Sequence, residues 1–155
     1  MNNYFRRHAL YSSVESLIKG QQFKQLCEKK YERVMRDYNL RKIEIDILYF
    51  LSKVEGKNTA KELAKINHFS KAHVSKAIDN LCELGYVVLA PDESDHRVYH
   101  ILLSAESKKV INEINVIHQN ITEIIFSDIS REEMEVMKNV AIKIINNIER
   151  AIKEI

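Results

Sequence analysis

The side chains with the widest chemical range lie together in residues 91–100, PDESDHRVYH. Carboxylates and imidazoles are the groups that ligate zinc, so a metal site is one interpretation of this segment. Its candidate ligands are Asp92, Glu93, Asp95, His96 and His100. An exposed loop would hold such ligands loosely, and a metal bound there would be adventitious. We therefore expect neither a metal site nor another cofactor.

The rest of the chain has no familiar catalytic motif. Six histidines are present, but none belongs to a His-x-His or His-Glu-x-x-His motif, and no Gly-x-Ser-x-Gly or phosphate-binding glycine loop occurs. The two cysteines, Cys27 and Cys82, are far apart and lack metal-binding spacing. We do not expect an enzyme.

Composition favours a helical protein that acts in the cytoplasm. The chain has 155 residues, of which 45% are apolar, enough to form one core. No apolar run is long enough to cross a bilayer, and the N-terminus lacks the pattern of a signal peptide. A net charge of +2 is too small to indicate nucleic-acid binding, so any basic surface must be local.

Glycine and proline are scarce and mark the boundaries of elements. The pattern predicts a long helix from Tyr4 to Tyr38 with Gly20 as a kink, and a shorter helix from Leu40 that stops at Gly56. The last third predicts two long amphipathic helices, the second capped by Ser130. Their apolar faces exceed what a small core can cover, which predicts burial against a second copy.

Residues 59–84 have the pattern of a helix-turn-helix. Either Asn58 or Thr59 can cap the first helix, with Glu62 at capping-box distance from Thr59, and Ser70 is the predicted cap of the second. The second helix is predicted to bury Val74, Ala77, Ile78, Leu81 and Leu84, and to turn outward Lys71, Ala72, Ser75, Lys76 and Asp79, with His73 at the edge. Small and basic residues on one face are suited to the major groove of DNA.

Short β-like runs precede and follow the charged loop, GYVVLA before it and VYHILL after it. The loop is therefore predicted to be the tip of a hairpin. Five lysines and only two acids lie between residues 57 and 82, which gives the preceding segment a local positive charge.

The sequence from Thr59 to Ser104 resembles the winged helix-turn-helix of MarR-type bacterial transcriptional regulators. The resemblance lies in SKAHVSKAIDNL, in LGYV, in the Asp-x-Arg of Asp95 and Arg97, and in the closing Leu103-Ser104. Asn67-His68 stand where Leu-Gly is frequent in the family. The resemblance implies a mostly α fold with a small β wing. It assigns residues 1–38 to an N-terminal dimerisation helix, 39–104 to the winged module and 105–155 to C-terminal dimerisation helices.

The family resemblance also implies a function. The protein is expected to be a homodimeric repressor that binds a pseudo-palindromic operator in double-stranded DNA and is released by a small aromatic or lipophilic effector. The implied DNA contacts are Ser70, Lys71, Ala72, His73, Ser75 and Lys76 in the major groove and Arg97 in the minor groove. Asp95 is expected to pair with Arg97 and to shape the wing.

Three alternatives concern the signal and the partner. The tyrosines that could line an effector pocket are Tyr11, Tyr31, Tyr38 and Tyr49, although tyrosines at helical spacing are more often core residues. Cys27 lies near Lys24, Lys29 and Lys30 in sequence, and nearby cations would favour a redox-active thiolate, although an inert cysteine packed in the dimer interface is the more common case. A winged module that binds protein rather than DNA would share all these packing features.

Overall fold

The computed structural model describes residues 20–54, 58–66 and 69–154, and it has two compact units, of which the first ends at Ile121 and the second begins at Thr122. In chain order the described elements are α1 (Gln21–Asp37), α2 (Lys42–Leu51), α3 (Ala60–Ile66), α4 (Lys71–Glu83), β1 (Val87–Pro91), β2 (Tyr99–Leu103), α5 (Lys108–Phe126) and α6 (Arg131–Lys153). The predicted fold class, mostly helical with one small hairpin, is confirmed. Among the described residues, no helix is long and apolar enough to cross a bilayer.

Gly20 stands before α1 as its N-cap residue, with a φ of 62°. Because a left-handed residue does not continue a right-handed helix, α1 begins after Gly20, the residue at which the sequence predicted a kink. The part of the predicted helix before Gly20 lies outside the described residues. On α1, the side chains of Cys27, Tyr31 and Val34 are buried.

The second helix ends earlier than the sequence predicted. It stops at Leu51, so that Lys53 lies beyond its last turn, and Gly56 lies outside the described residues. At the end of the helix, the hydroxyl of Ser52 donates a 2.7 Å hydrogen bond to the carbonyl oxygen of Tyr49. Such a side-chain bond competes with continuation of the helix.

The helix-turn-helix has both predicted caps. The amide of Thr59 donates to Glu62 Oε2 at 3.1 Å, and the amide of Glu62 donates to Thr59 Oγ1 at 3.3 Å. Ser70 Oγ accepts from the amide of His73 at 3.3 Å and begins α4. The two helices are joined to the core by fully buried side chains on one face of each, which are Leu63, Val74, Ala77 and Leu81.

The wing is an antiparallel hairpin in which Val87 pairs with Leu103 and Pro91 with Tyr99. Gly85, with a φ of 73°, turns the chain from α4 towards β1. The hydroxyl of Ser104 donates to the carbonyl oxygen of Gly85 at 2.6 Å and closes the base of the hairpin. The wing therefore begins at a fixed point on the end of α4.

A charged residue lies in the core of the first unit. Glu44 has 0% exposure, and its carboxylate accepts hydrogen bonds from the backbone amide and the guanidinium of Arg41. The burial of Glu44 was not predicted from the sequence. A buried carboxylate is tolerated when its oxygens are paired.

The described part of the second unit contains the end of α5 and all of α6. Ser130 caps α6 as predicted, and it forms a capping box with Glu133. None of the described residues of α6 is buried. Its exposed large apolar side chains are Val136, Met137, Val140, Ile142, Ile144, Ile145, Ile148 and Ile152.

Gly85→Ala tests whether the turn between α4 and β1 needs glycine. A Cβ at this position would meet no atom within 4 Å, so the expected loss of about 1–2 kcal/mol in the free energy of unfolding comes from the positive φ alone. Urea denaturation at fixed protein concentration measures it, with Gly85→Asn as a milder replacement. An unchanged midpoint for Gly85→Ala would contradict the left-handed turn.

Candidate nucleic-acid interface

Burial divides α4 into an inner and an outer face. Val74, Ala77, Ile78 and Leu81 are buried, whereas all the α4 positions predicted to face DNA are exposed, together with the cap: Ser70, Lys71, Ala72, His73, Ser75 and Lys76. Leu84, predicted to be buried, is only half-buried. The outer face therefore presents two lysines, a histidine and small residues on a helix that the core holds from behind.

Arg41 connects α2 to this helix. Its guanidinium donates to the carboxylate of Glu44 and also lies 3.4 Å from the carbonyl oxygen of Lys76. The buried Glu44 fixes the position of Arg41, and Arg41 contacts the backbone at one of the outward lysines. The Arg41 and Glu44 pair thus supports α4, a role that the sequence reading missed because it considered only the apolar face of α2.

At the wing tip, Asp95 and Arg97 form a two-point ion pair. Arg97 Nε donates to Asp95 Oδ1 at 3.0 Å and its Nη2 donates to Oδ2 at 3.2 Å. The amide of Arg97 also donates to Asp95 Oδ1 at 3.1 Å. The Arg97 side chain is 91% exposed, so the pair directs the guanidinium without enclosing it.

Asp92 organises the turn before this pair. Its Oδ1 accepts from the amide and hydroxyl of Ser94 at 2.8 Å and 2.6 Å, and from the amide of Asp95 at 2.9 Å. Hydrogen bonds from Ser94 and His100 hold the pKa of Asp92 well below its ordinary range. Hydrogen bonds from Arg97 likewise lower the pKa of Asp95. Both carboxylates are therefore charged at neutral pH.

Of the residues considered as metal ligands in the loop, Asp92 and His100 contact each other. Asp92 and His100 are in direct hydrogen-bond contact at 2.9 Å, whereas Glu93 and His96 are exposed. Within the ranges that the structure describes, no cluster of three or more histidine, cysteine or acidic residues could hold a metal ion. Asp92 and His100 take part in a structural network instead.

The three described candidate tyrosines make different contacts. Tyr11 lies outside the described residues, and Tyr31 is buried in the core. The hydroxyl of Tyr38 donates to Glu113 at 2.6 Å, which raises the pKa of Tyr38 to about 12. Tyr49 stacks on His118 with ring centroids 4.1 Å apart.

A cavity of about 560 Å³ lies between α1 and α5, within the first unit. It is lined by Lys30, Arg33, Val34, Asn112, Glu113, Val116 and Ile117. None of the three described candidate tyrosines is in this lining. The sequence reading missed the cavity because its walls come from two helices about 80 residues apart in the chain, and helical periodicity says nothing of how two helices are paired.

The environment of Cys27 disfavours a thiolate. The side chain is buried, and burial raises the pKa of its thiol although Lys42 opposes the shift. Lys30, one of the neighbours in sequence, instead donates a 2.9 Å hydrogen bond to Asn120. A raised pKa is the opposite of what a peroxide-sensing cysteine requires, so the structure does not support the redox alternative at Cys27.

Two helices in a helix-turn-helix arrangement, followed by a hairpin that carries an exposed arginine, define a winged helix-turn-helix protein. Residues 38–98, which include the helix-turn-helix, β1 and the tip of the wing, match the MarR family profile. Over these residues, which are less than half of the chain, the protein is similar to the MarR family. No curated protein matches it in a sequence comparison.

Solved structures share this fold over most of the chain. A MarR transcriptional regulator from Methanosarcina mazei has a TM-score of 0.68 and 24% identity, with 92% of this chain and 98% of that one covered. The regulator BldR from Sulfolobus solfataricus has a TM-score of 0.67 and 21% identity, over 95% and 99%. MepR of S. aureus, solved as a complex with DNA, has a TM-score of 0.69 and 20% identity, over 88% and 97%.

The lowered pKa values of Asp92 and Asp95 predict how the wing tip responds to acid. Unfolded aspartate titrates near 3.8, and the folded values lie below it. The stabilisation by these charges is therefore complete above about pH 5 and is lost as the pH falls through the folded pKa values. Carbon-13 titration of the side-chain carboxyls should give both midpoints below 3.8. A midpoint at or above that value would contradict the hydrogen bonds described here.

Proposed function

We propose that the protein is a homodimeric, sequence-specific repressor that binds double-stranded operator DNA through α4 and the wing. The observation that carries the proposal is the outer face of α4, with Lys71 and Lys76 beside the small side chains of Ala72 and Ser75. Small residues let a helix approach base edges closely, and lysines reach the phosphates on either side. MepR of S. aureus, which has the same fold, was solved with DNA, and this supports the assignment.

The wing supplies the second contact of each protomer. Arg97 is directed by Asp95 yet has a side chain that is 91% exposed, which suits insertion into a narrow minor groove. Asp95 itself faces repulsion from phosphates, so its contribution is to hold Arg97 in place. Affinity should accordingly depend on both residues, although their charges are opposite.

Dimerisation would join two such modules. The exposed apolar side chains of α6, such as Val136 at 63% and Ile152 at 66%, form more apolar surface than a monomer normally leaves in water. We assign residues 1–38 and 105–155 to dimerisation and residues 39–104 to DNA binding. Two-fold symmetry would place the two α4 helices in major grooves roughly 34 Å apart, on a pseudo-palindromic operator.

Release from DNA by a small effector is the proposed regulation. The cavity between α1 and α5 is within the size range of sites for small molecules, and Val34, Val116 and Ile117 give it apolar walls for an aromatic or lipophilic compound. An effector would act by favouring one spacing of the two winged modules over another. A protein-binding winged module is the alternative, and DNA titrations separate the two.

Arg97→Ala should weaken operator binding about tenfold, which corresponds to loss of one groove contact. Lys76→Ala should weaken binding and reduce by about 1 the slope of log affinity against log salt, because one phosphate contact is lost. Fluorescence anisotropy with the DNA upstream of the protein's own gene provides the measurement. Lys143→Ala, an exposed lysine of α6, is the matched control.

Asp95→Ala is a more discriminating variant, because electrostatics alone predicts that it should strengthen DNA binding. Removal of a negative charge near phosphates would by itself raise affinity. We expect weaker binding, since the Arg97 side chain loses both of its side-chain hydrogen bonds to Asp95. Equal binding by wild type, Arg97→Ala and Lys76→Ala would favour the protein-binding alternative.

Ile148→Glu should shift the protein from dimer to monomer. Burying a carboxylate in an apolar interface costs several kcal/mol, so the dimer dissociation constant should rise at least about tenfold. Asn146→Glu adds the same charge two residues away, about 200° around the helix, and should leave association unchanged. Sedimentation equilibrium gives both constants, and a monomeric wild type at every concentration would contradict the dimer.

A further inference from the structure

The imidazole of His100 lies between two oxygens from separate parts of the chain. Its Nε2 donates to Asp92 Oδ2 at 2.9 Å, and its Nδ1 is 2.7 Å from Asn58 Oδ1. The His100 and Asp92 side chains are only 32% and 27% exposed. The ring therefore joins the wing to a residue 42 positions earlier in the chain.

Asn58 is attached in turn to the first helix of the helix-turn-helix. Its backbone oxygen accepts from the amide of Ile101 at 2.9 Å, and the next residue, Thr59, forms a β-bridge with His100. Thr59 also caps α3 with Glu62. The segment before α3 is thus held against β2 by both backbone and side-chain bonds.

The other end of the link leads to the wing arginine. Asp92 accepts from the amide of Asp95 at 2.9 Å, and Asp95 holds the guanidinium of Arg97 through Nε at 3.0 Å. Hydrogen bonds therefore run without a break from Asn58 through His100, Asp92 and Asp95 to Arg97. A two-stranded hairpin is only marginally stable by itself, so the tip gains order from such a link.

We propose that His100 is a positioning residue: together with Asn58 and Asp92 it holds Arg97 at a fixed place relative to the helix-turn-helix. The inference rests on the proposed function for its effect on DNA binding. An arginine on a tip that moves freely loses more conformational entropy when it enters a groove, and binding weakens accordingly. His100 acts through Arg97 and needs no DNA contact of its own.

The first test uses the free protein and does not depend on DNA. Asn58→Ala removes the side chain that contacts His100 Nδ1 and leaves every hydrogen bond within the tip in place. We expect the amides of Asp95 and Arg97 to exchange with solvent about five-fold faster, as loss of one hydrogen bond predicts, while the urea midpoint changes little. His100→Phe should have the same effect, and His96→Phe, at an exposed histidine of the same tip, should not.

The second test is a double-mutant cycle in the DNA titration. Asn58→Ala and His100→Phe should each weaken binding about five-fold in the wild-type background. In the Arg97→Ala background the same changes should have almost no further effect, because they act through Arg97. A general loss of stability would instead weaken binding equally in both backgrounds.

Each outcome decides a separate claim. Unchanged exchange at Asp95 and Arg97 in both link variants would overturn the proposal, whatever happens to DNA binding. Faster exchange with fully additive binding losses would also overturn it, because His100 would then act elsewhere than on Arg97. A wild-type protein that binds no DNA would contradict the proposed function, while the exchange rates would still show whether His100 orders the tip.

Discussion

The carboxylate of Asp92 accepts hydrogen bonds from Ser94, from the amide of Asp95 and from His100. Because hydrogen bonds occupy both carboxylate oxygens of Asp92, the acidic and solvent-exposed loop has a defined conformation. That shape brings Asp95 against Arg97 and turns the only arginine of residues 42–130 outward. The acids of the wing are therefore consistent with DNA binding, because their charge is used within the protein and directs a cation towards the solvent.

Buried side chains fix the position of α4, whereas hydrogen bonds fix the conformation of the wing tip. Four side chains fix the inner face of the helix, and the polar outer face follows from them without further contacts. Arg41 adds a bond to the helix backbone at Lys76, supported by the buried Glu44. The outer face of α4 is thus held by apolar packing and the wing tip by a polar network, and both are exposed to solvent with defined geometry.

The sequence predicted the parts of this arrangement that depend on neighbours in the chain. The caps at Thr59, Ser70 and Ser130 are local patterns; Ser70 and Ser130 were predicted as caps, and Thr59 was one of two candidates for the third. The hairpin also followed from local signals on either side of the loop. The end of α2 was predicted less well: the helix stops at Leu51, where the Ser52 hydroxyl bonds to the carbonyl oxygen of Tyr49, before the glycine at which the sequence predicted its end.

Long-range pairings could not be predicted in the same way. His100 was considered only as a metal ligand, because nothing in the sequence relates it to Asn58, 42 residues earlier. Glu44 was missed for a similar reason: helical periodicity marks apolar faces, and a buried acid satisfied by Arg41 looks like a surface residue in sequence. The cavity between α1 and α5 likewise depends on which helices pack together.

The most direct measurement of the central claim is hydroxyl-radical footprinting on genomic DNA that the tagged protein enriches. Binding through α4 and the wing predicts two protected half-sites related by two-fold symmetry, about one helical turn apart, with additional minor-groove protection that Arg97→Ala removes. Enriched fragments that show no protected site at low salt, or protection that is the same for Arg97→Ala, would contradict it.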